Sequence, residues 1–151
     1  MILTHPSYDN IHFALNHIMD YLDKVNFQPD LILGLARGGT YPALILSQTM
    51  NVPFQLLYYS SKKGKGNDKN HNNKFIDFDC ERMLIVDEIA DGGHTLLEVS
   101  SYYNSKHEVK TATIYCKETS IFKPDIHWWT LPAVSPFIHF PWEQNIRMNR
   151  H

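Results

Sequence analysis

The chain has 151 residues, 43% of them hydrophobic, and its 14 basic and 16 acidic side chains leave a net charge of −2. That length suits one domain, 1–151, with a proper buried core, and the near-neutral balance argues against a nucleic-acid or membrane-surface protein, which is normally basic. No apolar run approaches the roughly 18 residues of a membrane span, Met1–His17 lacks a signal-peptide layout, and Cys80 and Cys116 stand too far apart for a disulfide framework or zinc knuckle, so a cytoplasmic protein is expected.

Taken in order, the first element is a helix capped by Asp9 or Asn10 and running to about Lys24, with Ile11, Leu15, Ile18, Met19 and Leu22 on one face. His12 and His17 within it read as surface or half-buried residues, not ligands. Asn26–Asp30 ends the helix, and Leu31–Leu35 follows as a short buried strand. Ala36-Arg37-Gly38-Gly39-Thr40 then turns into a helix near Pro42–Met50, where Pro42 suits the first turn because its missing N–H costs nothing there. Phe54–Tyr59 is the next strand. The Arg37-Gly38-Gly39 turn lets backbone approach an anion closely, and Arg37 adds a forked donor for phosphate oxygens. Taken alone it is equally a tight strand-to-helix turn with a surface arginine.

Ser60–Phe75 is the compositional outlier, with Lys62, Lys63, Lys65, Lys69 and Lys74 against the single acid Asp68. Glycine, asparagine and lysine without apolar periodicity predict a mobile loop. A loop of this length inside a compact domain is either functional or simply disordered.

The most informative stretch is Arg82–Leu96. Met83–Val86 is an unbroken apolar run, the pattern of a strand covered on both faces. Asp87-Glu88 stands where that strand is expected to end, Asp91-Gly92-Gly93 follows, and Leu96, Leu97, Val99, Tyr102 and Tyr103 supply a helical stripe. Ligands of open parallel sheets bind beyond the carboxyl ends of strands. The glycine pair lets N–H groups converge, and Thr95 adds a hydroxyl at the start of a helix whose dipole favours anions, which together make a phosphate cradle. Adjacent acids repel phosphate, so they need other work: a sugar diol, Mg²⁺, or a proton. Phosphate, diol and metal on one small scaffold describe a phosphorylated ribose. The plainer reading is a solvated strand end followed by a capped turn.

Thr111–Tyr115 is a further strand, rich in β-branched residues, and Lys117 at its end is placed to give a donor to a carbonyl oxygen, though a lone lysine is also an ordinary surface residue. Strands alternating with helices argue for an α/β fold with a central, mostly parallel sheet flanked by helices. The tail from Phe122 to Glu143 carries Trp128, Trp129, Phe137, Phe140 and Trp142 among Pro124, Pro132, Pro136 and Pro141. It reads as too irregular for a helix and too proline-interrupted for a central strand. Such aromatics either stack on a flat heterocycle or fill a satellite core or subunit contact.

Val86-Asp87-Glu88-Ile89-Ala90-Asp91-Gly92-Gly93-His94-Thr95 resembles the motif by which type I phosphoribosyltransferases bind phosphoribosyl pyrophosphate (PRPP). Phe137-Ile138-His139-Phe140-Pro141-Trp142-Glu143 is similar to the Trp-Ile-x-Phe-Pro-Trp-Glu segment of the xanthine and xanthine–guanine members. The likeness covers Leu31 to Glu143, with two departures: Gly92 stands where the motif has Thr, removing one hydroxyl from the cradle, and Phe137 stands where Trp is usual.

The resemblance implies the type I fold, a flexible loop at about 60–75 that folds over the substrates, and a small C-terminal hood at about 121–143. It implies transfer of 5-phosphoribosyl from PRPP to a 6-oxopurine (xanthine, guanine or hypoxanthine), with Mg²⁺ as cofactor, release of pyrophosphate, and a homodimer or homotetramer. By residue, it implies that Arg37, Gly38 and Gly39 hold the pyrophosphate. Asp87 and Glu88 take the ribose hydroxyls and the metal, and Asp91 takes the base proton or its charge. Gly92, Gly93, His94, Thr95 and Leu96 wrap the 5′-phosphate, Lys117 contacts the purine oxygen, and Phe137 and the backbone of Ile138 stack on and read the base. Two rivals stand beside this expectation: the same chemistry on another base, and a weakly active PRPP- or nucleotide-sensing regulator.

Overall fold

The computed structural model describes residues 2–61 and 74–143. The elements in order are α1 (Tyr8–Lys24), β1 (Leu31–Ala36), α2 (Thr40–Met50), β2 (Phe54–Tyr58), β3 (Arg82–Ala90), α3 (His94–Asn104), β4 (Glu108–Lys117), β5 (Ile126–Leu131) and a 3₁₀ turn, Pro141–Glu143. The five strands form one sheet in the order β2-β1-β3-β4-β5, every neighbouring pair parallel. Helices cover both faces, so the architecture is the expected α/β sheet.

The unbroken apolar runs of β1 and β3 follow from the pleat, which sends successive side chains to opposite faces. Ile32, Leu84 and Val86 pack with Ile11, Leu15, Ile18, Ala43 and Leu46 of α1 and α2. Leu31, Leu33, Leu35, Met83 and Ile85 pack with Leu96, Val99 and Tyr103 of α3. Full burial of one such Leu or Ile contributes about 1.5–3 kcal/mol.

Three local expectations are corrected. Helix α1 is capped by Ser7, not by Asp9 or Asn10: the Ser7 hydroxyl accepts the Asn10 N–H at 3.1 Å, and Asn10 Oδ1 accepts the Ser7 N–H at 2.9 Å. This reciprocal box satisfies two orphan donors where a cap at Asp9 would satisfy one. Strand β3 does not end at Val86 but runs on to Ala90, because pairing with β4 continues through Ile89↔Tyr115 and Ala90↔Cys116, so Asp87 and Glu88 lie within the strand. The tail is not wholly irregular either, since Ile126–Leu131 adds β5 to the sheet edge beside β4. Pro124 and Pro132 flank that strand rather than interrupt it, and an edge strand leaves one row of donors unclaimed by the sheet.

The rest of the tail closes over the α1 side. Ile138 and Phe140 are buried in the core beneath α1 and α2. Trp142 stacks on Phe140 and on Tyr41 at ring separations of 4.9 and 5.3 Å. The His139 N–H donates to Thr4 O at 2.8 Å, tying the chain's start to this segment. Among the described residues no helix is long and apolar enough to cross a membrane.

Candidate active site

At the carboxyl ends of β1 and β3 the chain turns sharply twice, and between the turns lies a cleft of about 560 Å³. The sheet's connectivity puts it there: β1 and β3 are adjacent, and each feeds a helix through a glycine pair. One wall is Arg37 and Gly38; another is Asp87 and Glu88 of β3; the floor and far end are Asp91 to Leu96, with Lys117 arriving from the end of β4. Of the described residues that the resemblance assigns to substrate or metal, all but Gly39, Phe137 and Ile138 line this cleft.

Gly39 is buried beneath it, where an added Cβ would press on the backbone of Val86 and Leu35. Gly38 has a different reason to be glycine: the Glu88 carboxylate occupies the place where its Cβ would stand. Glu88 therefore crosses from β3 onto the Arg37 loop. Beyond it Arg37, Gly38, Glu88, Trp142 and Glu143 line a second hollow of about 500 Å³. The Ala36–Arg37 peptide at the head of this loop is cis.

Asp87 and Glu88 are only partly exposed. Asp87 Oδ1 accepts the Glu88 backbone N–H at 2.8 Å. Burial raises the Asp87 carboxyl to about 7. Burial also raises Glu88 well above the usual carboxylate range, reinforced by the charge of Asp87 and, more weakly, of Glu143. Burial and mutual repulsion thus both favour the protonated form of these adjacent acids, and an incoming cation or hydroxyl donors would favour the charged form instead. Their oxygens are the hard ligands Mg²⁺ prefers, and Mg²⁺ typically takes one or two carboxylates together with phosphate oxygens of a substrate. Among the described residues no group of three or more His, Cys, Asp or Glu is arranged to hold an ion, so any metal here would draw its remaining ligands from substrate and water.

The phosphate cradle is built from backbone. Gly93, at φ +89°, is the N-cap of α3, and no side chain caps that helix. The first-turn N–H groups have no partner within the helix by construction, and they open on the cleft with the positive end of the helix dipole behind them. Ile121 N–H holds Gly92 O at 2.9 Å, which fixes the turn from the β4–β5 side. Thr95 Oγ1 accepts the Ser61 backbone N–H at 3.2 Å.

Lys117 Nζ lies 3.0 Å from Asp91 Oδ1, a pairing across the cleft mouth that the sequence did not disclose. The structure sends Phe137 and Ile138 elsewhere. Phe137 is 72% exposed with its ring 4.9 Å from that of His139, while the Ile138 side chain is in the core. Tyr59 and Ser60, which also line the cleft, were missed, although their position just past β2 was a usable signal. Residues 62–73, including Lys62, Lys63, Lys65 and Lys69 of the expected loop, lie outside the described residues.

A family model described as the phosphoribosyl transferase domain matches residues 3–146. A xanthine-guanine phosphoribosyltransferase of Roseobacter denitrificans is 26% identical over 95% of this chain and 86% of its own length. A transcriptional regulator, GfcR, of Methanococcoides burtonii is 24% identical over 55% of this chain and 42% of its own length. Among solved structures, a purine phosphoribosyltransferase from Pyrococcus horikoshii superposes with a TM-score of 0.73 at 24% identity, covering 94% of each chain.

Proposed function

Since the chain belongs to the phosphoribosyltransferase family, we propose that it is a purine enzyme of that family, transferring 5-phosphoribosyl from PRPP to a 6-oxopurine with release of pyrophosphate. One observation carries the choice of base: the Lys117–Asp91 pair, 3.0 Å apart, sets a cationic donor beside an anionic acceptor at the cleft mouth. A 6-oxopurine shows an acceptor, O6, next to N7–H on one edge, and the pair is complementary to that edge. Adenine shows an amino donor at position 6, which would face an ammonium group and leave it unpaired. The xanthine–guanine relatives support the same choice.

In this reading the α3 turn, Gly92 to Leu96, binds the 5′-phosphate through backbone N–H groups. Asp87 and Glu88 hold the ribose hydroxyls and Mg²⁺. When bound, the metal neutralises charge on the departing pyrophosphate. Arg37, Gly38 and Gly39 orient that leaving group, where preorganised donors contribute most. As the base nitrogen attacks the anomeric carbon, Asp91 takes the N7 proton or offsets its charge, while Lys117 holds O6. The assignment of Phe137 and the Ile138 backbone to the base rests on the resemblance of the 137–143 segment, since neither residue lines the cleft.

The test is the initial rate of pyrophosphate release from PRPP and Mg²⁺ with xanthine, guanine, hypoxanthine, adenine, uracil and orotate supplied separately. Turnover confined to one or more 6-oxopurines is expected. Equal or better turnover with adenine or a pyrimidine would refute the assignment of Lys117. A second reading, a nucleotide- or PRPP-sensing regulator, draws on Gly92 in place of Thr and on the regulator among the relatives. It requires tight PRPP binding with no pyrophosphate released by any base.

A further inference from the structure

Thr95, Glu98 and Tyr102 stand three and then four residues apart on α3, so they share a face of the helix. This is not the face that covers the sheet, which belongs to Leu96, Val99 and Tyr103. It receives the segment leaving β2 instead. The Tyr59 hydroxyl donates to Glu98 Oε1 at 2.8 Å, and the Ser61 hydroxyl donates to Glu98 Oε2. The Tyr59 ring stacks on Phe75 at 4.7 Å, and Phe75 stacks on Tyr102 at 4.2 Å. Ser61 is 1% exposed. A glutamate in the second turn of a helix would ordinarily face solvent; here both of its oxygens are committed to one short segment.

The direction of the third bond gives this clamp a chemical consequence. The Ser61 backbone N–H can only donate, so Thr95 Oγ1 must accept it. The single hydroxyl proton of Thr95 is then left for another acceptor, and none is found among the described residues. Thr95 itself lines the cleft beside the first-turn N–H groups of α3.

We propose that Glu98 is a positioning residue for the phosphate cradle: by holding Tyr59 and Ser61 it fixes the Ser61 amide against Thr95, and so presents the Thr95 proton to a phosphate oxygen in the cleft. The inference rests on the cleft being a PRPP site. It also explains how a cradle that lacks a threonine at Gly92 keeps one oriented hydroxyl.

PRPP and inorganic phosphate are titrated calorimetrically, each alone, into the wild type, Glu98→Ala, Glu98→Gln, Thr95→Ala and the double variant Glu98→Ala/Thr95→Ala, with thermal unfolding measured in parallel. Glu98→Ala should weaken PRPP binding about 10-fold, the scale of one misdirected hydrogen bond to a charged group, and raise KM for PRPP more than it lowers kcat. Glu98→Gln, which keeps an acceptor oxygen, should recover part of the loss and serves as the working variant if alanine compromises folding. Because Glu98 acts through Thr95, the double variant should bind no more weakly than Thr95→Ala alone. Additive losses, or a lower melting temperature with unchanged PRPP affinity, would overturn the positioning role while leaving the cleft's assignment standing. A wild type that binds neither PRPP nor phosphate would overturn that assignment, and the clamp with it.

Discussion

The adjacent glycines Gly92 and Gly93 are alike in sequence and opposite in structure, which makes them a sharp test of the cradle's geometry. Alanine at 92 meets only the edge of the His94 ring, 3.4 Å away, and needs no unusual backbone. The substitution should be neutral or stabilising by about 0.4–1 kcal/mol, since it restricts the unfolded chain. At 93 the backbone sits at φ +89°, which costs an L-residue about 1–2 kcal/mol. The new methyl would also press on the Ser120 hydroxyl and stand 2.7 Å from the Phe122 amide nitrogen. Ser120 cannot swing aside freely, because its hydroxyl donates to Phe122 O at 2.7 Å. Overpacking of this kind adds about 1–3 kcal/mol. Gly93→Ala should therefore lose about 2–5 kcal/mol in urea unfolding, lower the melting temperature by roughly 4–20 °C, and weaken PRPP binding. Equal stabilities for the two variants would refute the turn as described.

Other consequences concern the acids and the lysine. Asp91→Asn should lower turnover by roughly 10²–10⁴-fold if Asp91 moves the base proton, and near-normal single-turnover rates would remove it from that role. Lys117→Met should raise KM for 6-oxopurines with little change in PRPP affinity, and an unchanged KM for every base would place Lys117 outside the base site. In the metal-free protein the Asp87 carboxyl is raised by burial to about 7, against about 3.9 when unfolded. Between those values the folded state binds more protons, so Asp87 makes stability fall as pH rises from about 4 to 7 and then level off. Asp87→Asn keeps the acceptor for the Glu88 N–H and should lose that downward contribution. Measured in EDTA across the same window, parallel pH–stability curves for wild type and variant would contradict it.

The parts of the fold that could be read ahead were those where one physical requirement dominates a short window. Leu31–Leu35 and Met83–Val86 are apolar without a break because both sheet faces are covered. The helix after Gly92-Gly93 declares itself by its apolar period, and the one after Gly38-Gly39 by Pro42 in its first turn. The cleft was legible because its chemistry is local, with acids, glycines and a threonine inside ten residues. What escaped depends on partners remote in sequence. Nothing in Lys117 names Asp91, and Glu98 looks like any helical glutamate until β2 delivers Tyr59 and Ser61 to it. The edge strand Ile126–Leu131 was obscured by the prolines around it, which turn out to bracket the strand. The Ser7 cap was hidden by two other good cap formers just downstream. Phe137 lies outside the cleft lining because Ile138 and Phe140 anchor its segment in the core on the α1 side.

Following both products of one reaction decides whether the cleft carries out phosphoribosyl transfer. Wild-type protein is incubated with PRPP, Mg²⁺ and guanine, xanthine or hypoxanthine, with an Asp87→Asn/Glu88→Gln variant as the blank, and nucleoside 5′-monophosphate and pyrophosphate are quantified together. The wild type should give equal amounts of the two with at least one 6-oxopurine, and the variant neither. Pyrophosphate without nucleotide, or PRPP bound and recovered intact with every base, would contradict it.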